Sequence, residues 1–255
     1  MCLIFLSLQE HPTYKVIIAA NRDEFYGRKT AAASFWDDYP NIVGGRDMEA
    51  MGTWMAMTKQ GKISLVTNYR DLSNINPNAP SRGQLVTDFL LEDLSPAFYL
   101  QQVEAKGKLY NGFNLIAGSA EELYYYSNYK DGVEKIKPGL HGLSNHLLDT
   151  PWPKVTRGIE KMKAALSTND VDAGELFELL YDDQLAPDEK LPDTGVGLER
   201  ERMLSSMFIK SPNYGTRCST VLMVDRDDHV YFAERVYNLS TFEYTTKLFE
   251  FKITP

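Results

Sequence analysis

Residues 2–8, Cys2-Leu3-Ile4-Phe5-Leu6-Ser7-Leu8, are apolar at odd and even positions alike. Side chains of a strand alternate between two faces, so a strand apolar on both has to be covered on both. The run therefore predicts a central, buried strand, which constrains the fold more than any other stretch does. Gln9-Glu10-His11-Pro12-Thr13 then supplies turn chemistry, and residues 14–20 return as a second apolar strand. In an antiparallel hairpin the end of the second strand lies beside the start of the first. That end reads Asn21-Arg22-Asp23-Glu24-Phe25, so the pairing predicts Cys2 close to Arg22 and Asp23.

The pattern downstream alternates hairpins with pairs of helices. Residues 53–58 and 62–68 flank Lys59-Gln60-Gly61 as a second hairpin, with Asn68 at its exit. Residues 84–91 carry apolar positions at helical spacing, and Ser95-Pro96 gives an N-cap followed by Pro at the first helical position. Short strands follow at 113–118, 123–127 and 133–136. Residues 152–166 and 171–182 read as a second helix pair, and 218–224, 230–236 and 244–251 as closing strands. Helices segregated from antiparallel hairpins define an α+β protein rather than βαβ repeats. Two packed sheets with helices outside, a four-layer αββα sandwich, would bury strands that are apolar on both faces; other α+β layerings remain open on pattern alone. No linker or repeat divides 1–255, which reads as a single domain. Residues 186–197, rich in turn formers, form a long loop that either borders a pocket or runs over the surface. Gly44-Gly45-Arg46 reads as a tight turn, and Tyr124-Tyr125-Tyr126 as a strand with partly exposed tyrosines.

Composition excludes several classes. A net charge of −8 without a Lys/Arg-rich block disfavours nucleic acid and anionic membrane surfaces as partners. No apolar run approaches the roughly 18 residues of a spanning helix, and Glu10 and His11 interrupt the apolar start before a signal-peptide core is complete. The expectation is a soluble, cytoplasmic protein without stable membrane insertion. Cys2 and Cys218 have no C-x-x-C spacing and read as free thiols. His11, His141, His146 and His229 are scattered and read as structural, so no metal is expected.

Cys2 carries the strongest chemical suggestion. If Met1 is removed, one residue holds both a thiol and a free α-amine. The amine, with an ordinary pKa of about 7.7–8.0, can take the proton of a thiol whose pKa is about 8.5. The other reading of the same residue is a small hydrophobe buried in a strand.

Met1-Cys2 together with Asn21-Arg22-Asp23-Glu24 resembles the NRDE family, also called the transport and Golgi organization protein 2 family. Gly44-Gly45-Arg46-Asp47, Gly52-Thr53-Trp54, Thr67-Asn68-Tyr69-Arg70, Arg82-Gly83, Asn111-Gly112-Phe113-Asn114-Leu115, Leu143-Ser144-Asn145 and Gly215-Thr216-Arg217-Cys218-Ser219-Thr220 look like its recurrent motifs in order. Together they span nearly the whole chain. The family is similar in architecture to N-terminal nucleophile hydrolases of the penicillin V acylase and choloylglycine hydrolase type, and that resemblance selects the αββα sandwich. By position it implies Cys2 as nucleophile and amine base, Arg22 as the group that lowers the thiol pKa, and Asp23 as the holder of the α-amine. Asn68 and Asn145 become oxyanion donors and Arg217 an orienting cation.

Two function classes follow. One is a cysteine-nucleophile hydrolase acting on a linear amide or N-acyl bond through an acyl-enzyme on Cys2. The other, implied by the resemblance, is a non-catalytic carrier or chaperone that uses the same cleft for haem or for an acyl-lipid or acyl-CoA. No cofactor is expected in the first; haem is a bound ligand in the second. Ligand identity and oligomeric state are left open by the sequence.

Overall fold

The computed structural model describes residues 2–254. Its strands are β1 (Cys2–Leu8), β2 (Tyr14–Phe25), β3 (Thr30–Phe35), β4 (Ile42–Asp47), β5 (Met55–Thr58), β6 (Lys62–Asn68), β7 (Phe113–Ser119), β8 (Leu123–Ser127), β9 (Lys130–Lys135), β10 (Gly139–Leu143), β11 (Tyr214–Asp225), β12 (His229–Tyr237) and β13 (Tyr244–Lys252). The helices are α1 (Gly83–Leu91), α2 (Pro96–Lys106), α3 (Pro153–Ala165), α4 (Ala173–Leu180) and α5 (Leu198–Met203). One sheet has the order β10-β1-β2-β11-β12-β13 and the other β3-β4-β5-β6-β7-β8-β9. Every pairing is antiparallel.

Alternation along β1 builds two layers of core, and the outer face of β6 and β7 builds a third. Ile4, Leu6 and Leu8 pack with Val43, Met55, Met57, Leu65 and Ile116 between the two sheets. Leu3 and Phe5 point the other way, against Val155 and Met162 of α3 and Leu176, Phe177 and Leu180 of α4. On the far side, Val66, Leu115 and Ala117 meet Leu85, Val86 and Phe89 of α1 and Leu100 and Val103 of α2. The layer sequence is therefore helices, sheet, sheet, helices, as expected of the αββα sandwich. Ser95 caps α2 through Phe98 N, with Pro96 opening the helix. The cap of α4 is Asp172, whose carboxylate accepts from Gly174 N.

Several expectations need correction. Gly44 and Gly45 lie inside β4 and not in a turn. A Cβ on Gly44 would stand 2.6 Å from that of Ala56, and one on Gly45 would stand 2.1 Å from the Trp54 ring. The glycines thus serve close packing across the sheet. β3, β10 and α5 were absent from the pattern reading. β3, Thr-Ala-Ala-Ala-Ser-Phe, is poor in strand-favouring side chains and is bulged between Ala31 and Ser34. β8 alternates as expected, but Tyr125 enters the inter-sheet core and Tyr126 the helix-facing one, both fully buried. Among the described residues, no helix is long and apolar enough to cross a membrane.

Candidate active site

Cys2 is paired directly with Arg22 across β1 and β2. On the other side of β2, Arg22 is paired with Cys218 of β11. The two thiols, remote in sequence, thus flank one guanidinium, separated by two strand spacings of about 4.8 Å each. Both are free and buried. Arg22 lies over the Trp54 ring at 4.2 Å and donates from Nη1 to Thr30 Oγ1 at 3.0 Å. These contacts hold the side chain on the inter-sheet face.

The next residue faces the opposite way. Asp23 Oδ1 accepts a 2.7 Å hydrogen bond from Thr216 Oγ1, which itself accepts from Ile209 N at 2.9 Å. Buried Lys154 of α3 lies on this side, donating to Leu204 O at 2.9 Å. Burial pushes the Asp23 carboxyl up, and the Lys154 ammonium pulls it back. Lys154 is itself lowered to about 8 by burial and by Arg70. Arg70 in turn forms a buried 2.8 Å ion pair with Glu201 of α5. A chain of buried charges thus backs Asp23 from the helix layer. Asn21, the first residue of the motif, is structural: its Nδ2 donates to Leu180 O and Met207 O, tying β2 to the segments above it.

A cavity of about 270 Å³ opens at Cys2. Arg22, Asp23, Glu24, Trp54 and Asn68 line it, together with Arg28, Asp47 and the segment 79–83. Asn68 sits at the end of β6, as the sequence predicts. Asn145 is adjacent but outside this lining. Its Nδ2 donates to Asn68 O at 3.1 Å, and its own carbonyl accepts from Arg70 N at 2.8 Å. Its geometry makes it a support of Asn68 rather than a second wall of the cavity.

Arg217 requires a correction. The register of β11 on β2 slips between Thr216 and Cys218, leaving Arg217 as the extra residue of a bulge. A bulge re-aims its side chain. Arg217 Nη1 donates to Phe25 O at 2.9 Å and Tyr26 O at 2.8 Å, and the side chain lines a separate pocket with Cys218 and Glu234. It is not among the residues lining the Cys2 cavity. The expectation for Met1 lies outside the described residues.

Burial raises the Cys2 thiol pKa; Asp23 raises it further, while Arg22 lowers it. Arg22 thus acts in the expected direction, yet burial prevails, and the resting sulfur is a thiol. Cys218 is pushed up well beyond Cys2's ordinary range by burial and by Glu234. Among the described residues, no group of three or more His, Cys, Asp or Glu is placed to hold a metal ion. The four histidines are engaged in the scaffold, His11 on Thr168 O, His141 on Asp149, His146 on Thr150 and His229 on Asp225.

Pattern reading gave no role to Arg28, Asp47, Trp54 or Arg82, although the motifs containing the last three were visible. Gly52 and Gly83 explain that spacing, since a Cβ on Gly52 would stand 2.5 Å from Gly83 C. The two short motifs meet at the cavity rim, a contact no local periodicity reports.

These layers form an αββα sandwich, the fold also seen in N-terminal nucleophile hydrolases. A solved structure, the C2A mutant of the conjugated bile acid hydrolase from Clostridium perfringens, superposes with a TM-score of 0.51 at 8% identity, covering 100% of this chain and 97% of that one. Within this fold, the chain belongs to the Transport and Golgi organisation 2 family, whose sequence profile it matches over residues 1–239. The transport and Golgi organization protein 2 homolog of Bos taurus is 40% identical across 92% of each chain. The Homo sapiens homolog is 36% identical across 99% of each.

Proposed function

We propose that the protein hydrolyses a linear amide or N-acyl bond, with Cys2 as the nucleophile. The observation that carries this reading is the position of Cys2 in the wall of a polar cavity, paired with Arg22 and sharing that cavity with Asp23 and Asn68. The similarity in fold to a hydrolase supports it. The scheme requires Met1 to be removed.

The Cys2 sulfur attacks the carbonyl carbon while its proton passes to the residue's own α-amine, which Asp23 holds. Because burial keeps the resting sulfur protonated, this base is needed at the moment of attack. The carbonyl oxygen becomes an oxyanion and takes a hydrogen bond from the Asn68 amide; Asn145 fixes Asn68 from behind. Loss of one such donor typically costs about 100- to 1,000-fold in rate. Collapse breaks the C–N bond, and the leaving amine departs with the proton from the α-ammonium. Water then adds to the thioester, giving its proton to the same amine, and the acid leaves as the sulfur is reprotonated.

The test uses protein whose amino end is shown by intact mass to be Cys2. Wild type, C2A and N68A are mixed with a panel of N-acyl compounds. A burst and an acyl adduct on Cys2, absent in C2A, are expected, with N68A slowed at least about 100-fold. A processed, folded wild type with neither burst nor adduct would refute the reading. Binding of haem or an acyl-CoA without turnover would then support the carrier reading of the same cleft.

A further inference from the structure

Three guanidinium groups and three carboxylates line the Cys2 cavity, and buried Lys154, outside the lining but acting on Asp23, adds a fourth cation to the balance. Asp47 takes Arg28, through Nε at 3.0 Å and Nη2 at 2.6 Å. Asp23 is backed by Lys154 beneath the sheet. With those two pairs set aside, Arg22 and Arg82 face Glu24, so two positive charges minus one negative leave one positive charge in excess. Glu24 is partly engaged locally, its Oε1 accepting from Phe25 N at 2.8 Å.

Arg82 is the less committed of the two cations. Among the described residues its guanidinium makes one hydrogen bond, from Nη1 to Gly112 O at 3.0 Å, and no ion pair. A guanidinium has five N–H donors, so four lack a protein acceptor in a side chain that lines the cavity. Its backbone is fixed from several sides. Arg82 is the N-cap of α1, Thr53 N donates to Gly83 O at 3.2 Å, and Asn111 pins the preceding loop through Asn76 N and O at 2.7 and 2.9 Å. The first turn of α1 has no acidic residue, so the helix end adds positive potential at the same rim. A rigidly mounted cation with unused donors beside a nucleophile is arranged for a ligand anion.

We infer that Arg82 is the anion-binding residue of this cavity, and that the substrate is a small amide carrying a carboxylate, which Arg82 holds while the acyl carbon lies at Cys2. The planar fork of a guanidinium matches a carboxylate in a bidentate fashion. Size agrees: drug-sized ligands fill roughly 300–1,000 Å³, and this space of about 270 Å³ takes something smaller. A short N-acyl amino acid has the required chemistry. The inference deepens the hydrolase reading but is testable apart from it.

Cys2 itself is the reporter. Iodoacetate and iodoacetamide alkylate a thiol by the same displacement of iodide and differ in charge, so the ratio of their rates at Cys2, read by peptide mass spectrometry, measures the pull of the site on a carboxylate. R82Q is expected to lower that ratio about tenfold relative to wild type, and R82K to keep it within about threefold, as a retained cation should. Glutarate is expected to protect wild-type Cys2 from iodoacetamide, an effect that needs no variant to fold. An unchanged ratio in R82Q, or no protection by glutarate, overturns the inference. A second arm compares turnover of an N-acyl amino acid with its carboxamide; R82Q is expected to narrow the preference for the acid. If the alkylation ratio falls but neither compound is hydrolysed, the anion site stands and the hydrolase reading fails. If both are hydrolysed equally and the ratio is unchanged, the reverse holds.

Discussion

Arg22 of β2 and Glu234 of β12, with β11 between their strands, show how residues of one sheet share the inter-sheet space. Glu234 is 1% exposed, its Oε1 accepting from Ala33 N of the opposite sheet at 2.7 Å. Burial raises its carboxyl to about 7, against an ordinary 4.5. The native state therefore holds this proton more tightly than the unfolded chain does. The associated stability is present below pH 4.5 and is lost as pH rises through 7. The cost at pH 8 is on the order of 3 kcal/mol, taking 1.36 kcal/mol for each pKa unit. E234Q is accordingly expected to gain on wild type in urea midpoint as pH goes from 5 to 8; a pH-independent gap would contradict this assignment. Glu201 poses the opposite problem. It receives Arg70 Nη1 on one oxygen and Thr194 N and Oγ1 on the other. Replacing it by Gln leaves a buried guanidinium without its counter-charge, expected to cost about 3–5 kcal/mol in denaturant unfolding.

At the scale of elements, close approaches decide which substitutions the layers accept. α3 crosses β1 at Gly158, where an added Cβ would fall 1.9 Å from the Phe5 ring. Phe5 is wholly buried and cannot swing aside. G158A, a change that favours an isolated helix, is expected to destabilise this protein by about 1–3 kcal/mol through overpacking, measurable as a lower urea midpoint with an unchanged slope. The bulge in β11 is equally local in cause and wider in effect. Deleting one residue there would restore regular alternation and reverse every side chain on one side of the slip.

Those particulars explain what the sequence disclosed. The placement of Cys2, Arg22, Asp23 and Asn68 was legible because it follows from one hairpin and a period of two. Arg217 was not, because periodicity does not count the extra residue of a bulge. Asn145 and Arg82 depended on loops crossing between layers, whose meeting points are set by packing rather than by neighbours in the chain. β4 was hidden because its glycines, needed for contact with Ala56 and Trp54, resemble turn residues. The αββα layering was legible in outline from strands apolar on both faces, and its final choice rested on family resemblance.

The sheet order has a further consequence for how the molecule is made. β1 and β2 emerge from the ribosome first, yet their outer edges await β10 at Gly139–Leu143 and β11 at Tyr214–Asp225. At a synthesis rate of about 5–20 residues per second, the roughly 200 residues between the end of β2 and the end of β11 take about 10–40 s. Throughout that interval the outer edge of β2 stays unpaired, while that of β1 can pair once β10 has been made. The hairpin that carries Cys2 and Arg22 therefore waits with a bare edge until most of the chain has been made, so a rival partner for that edge has its opportunity before β11 exists.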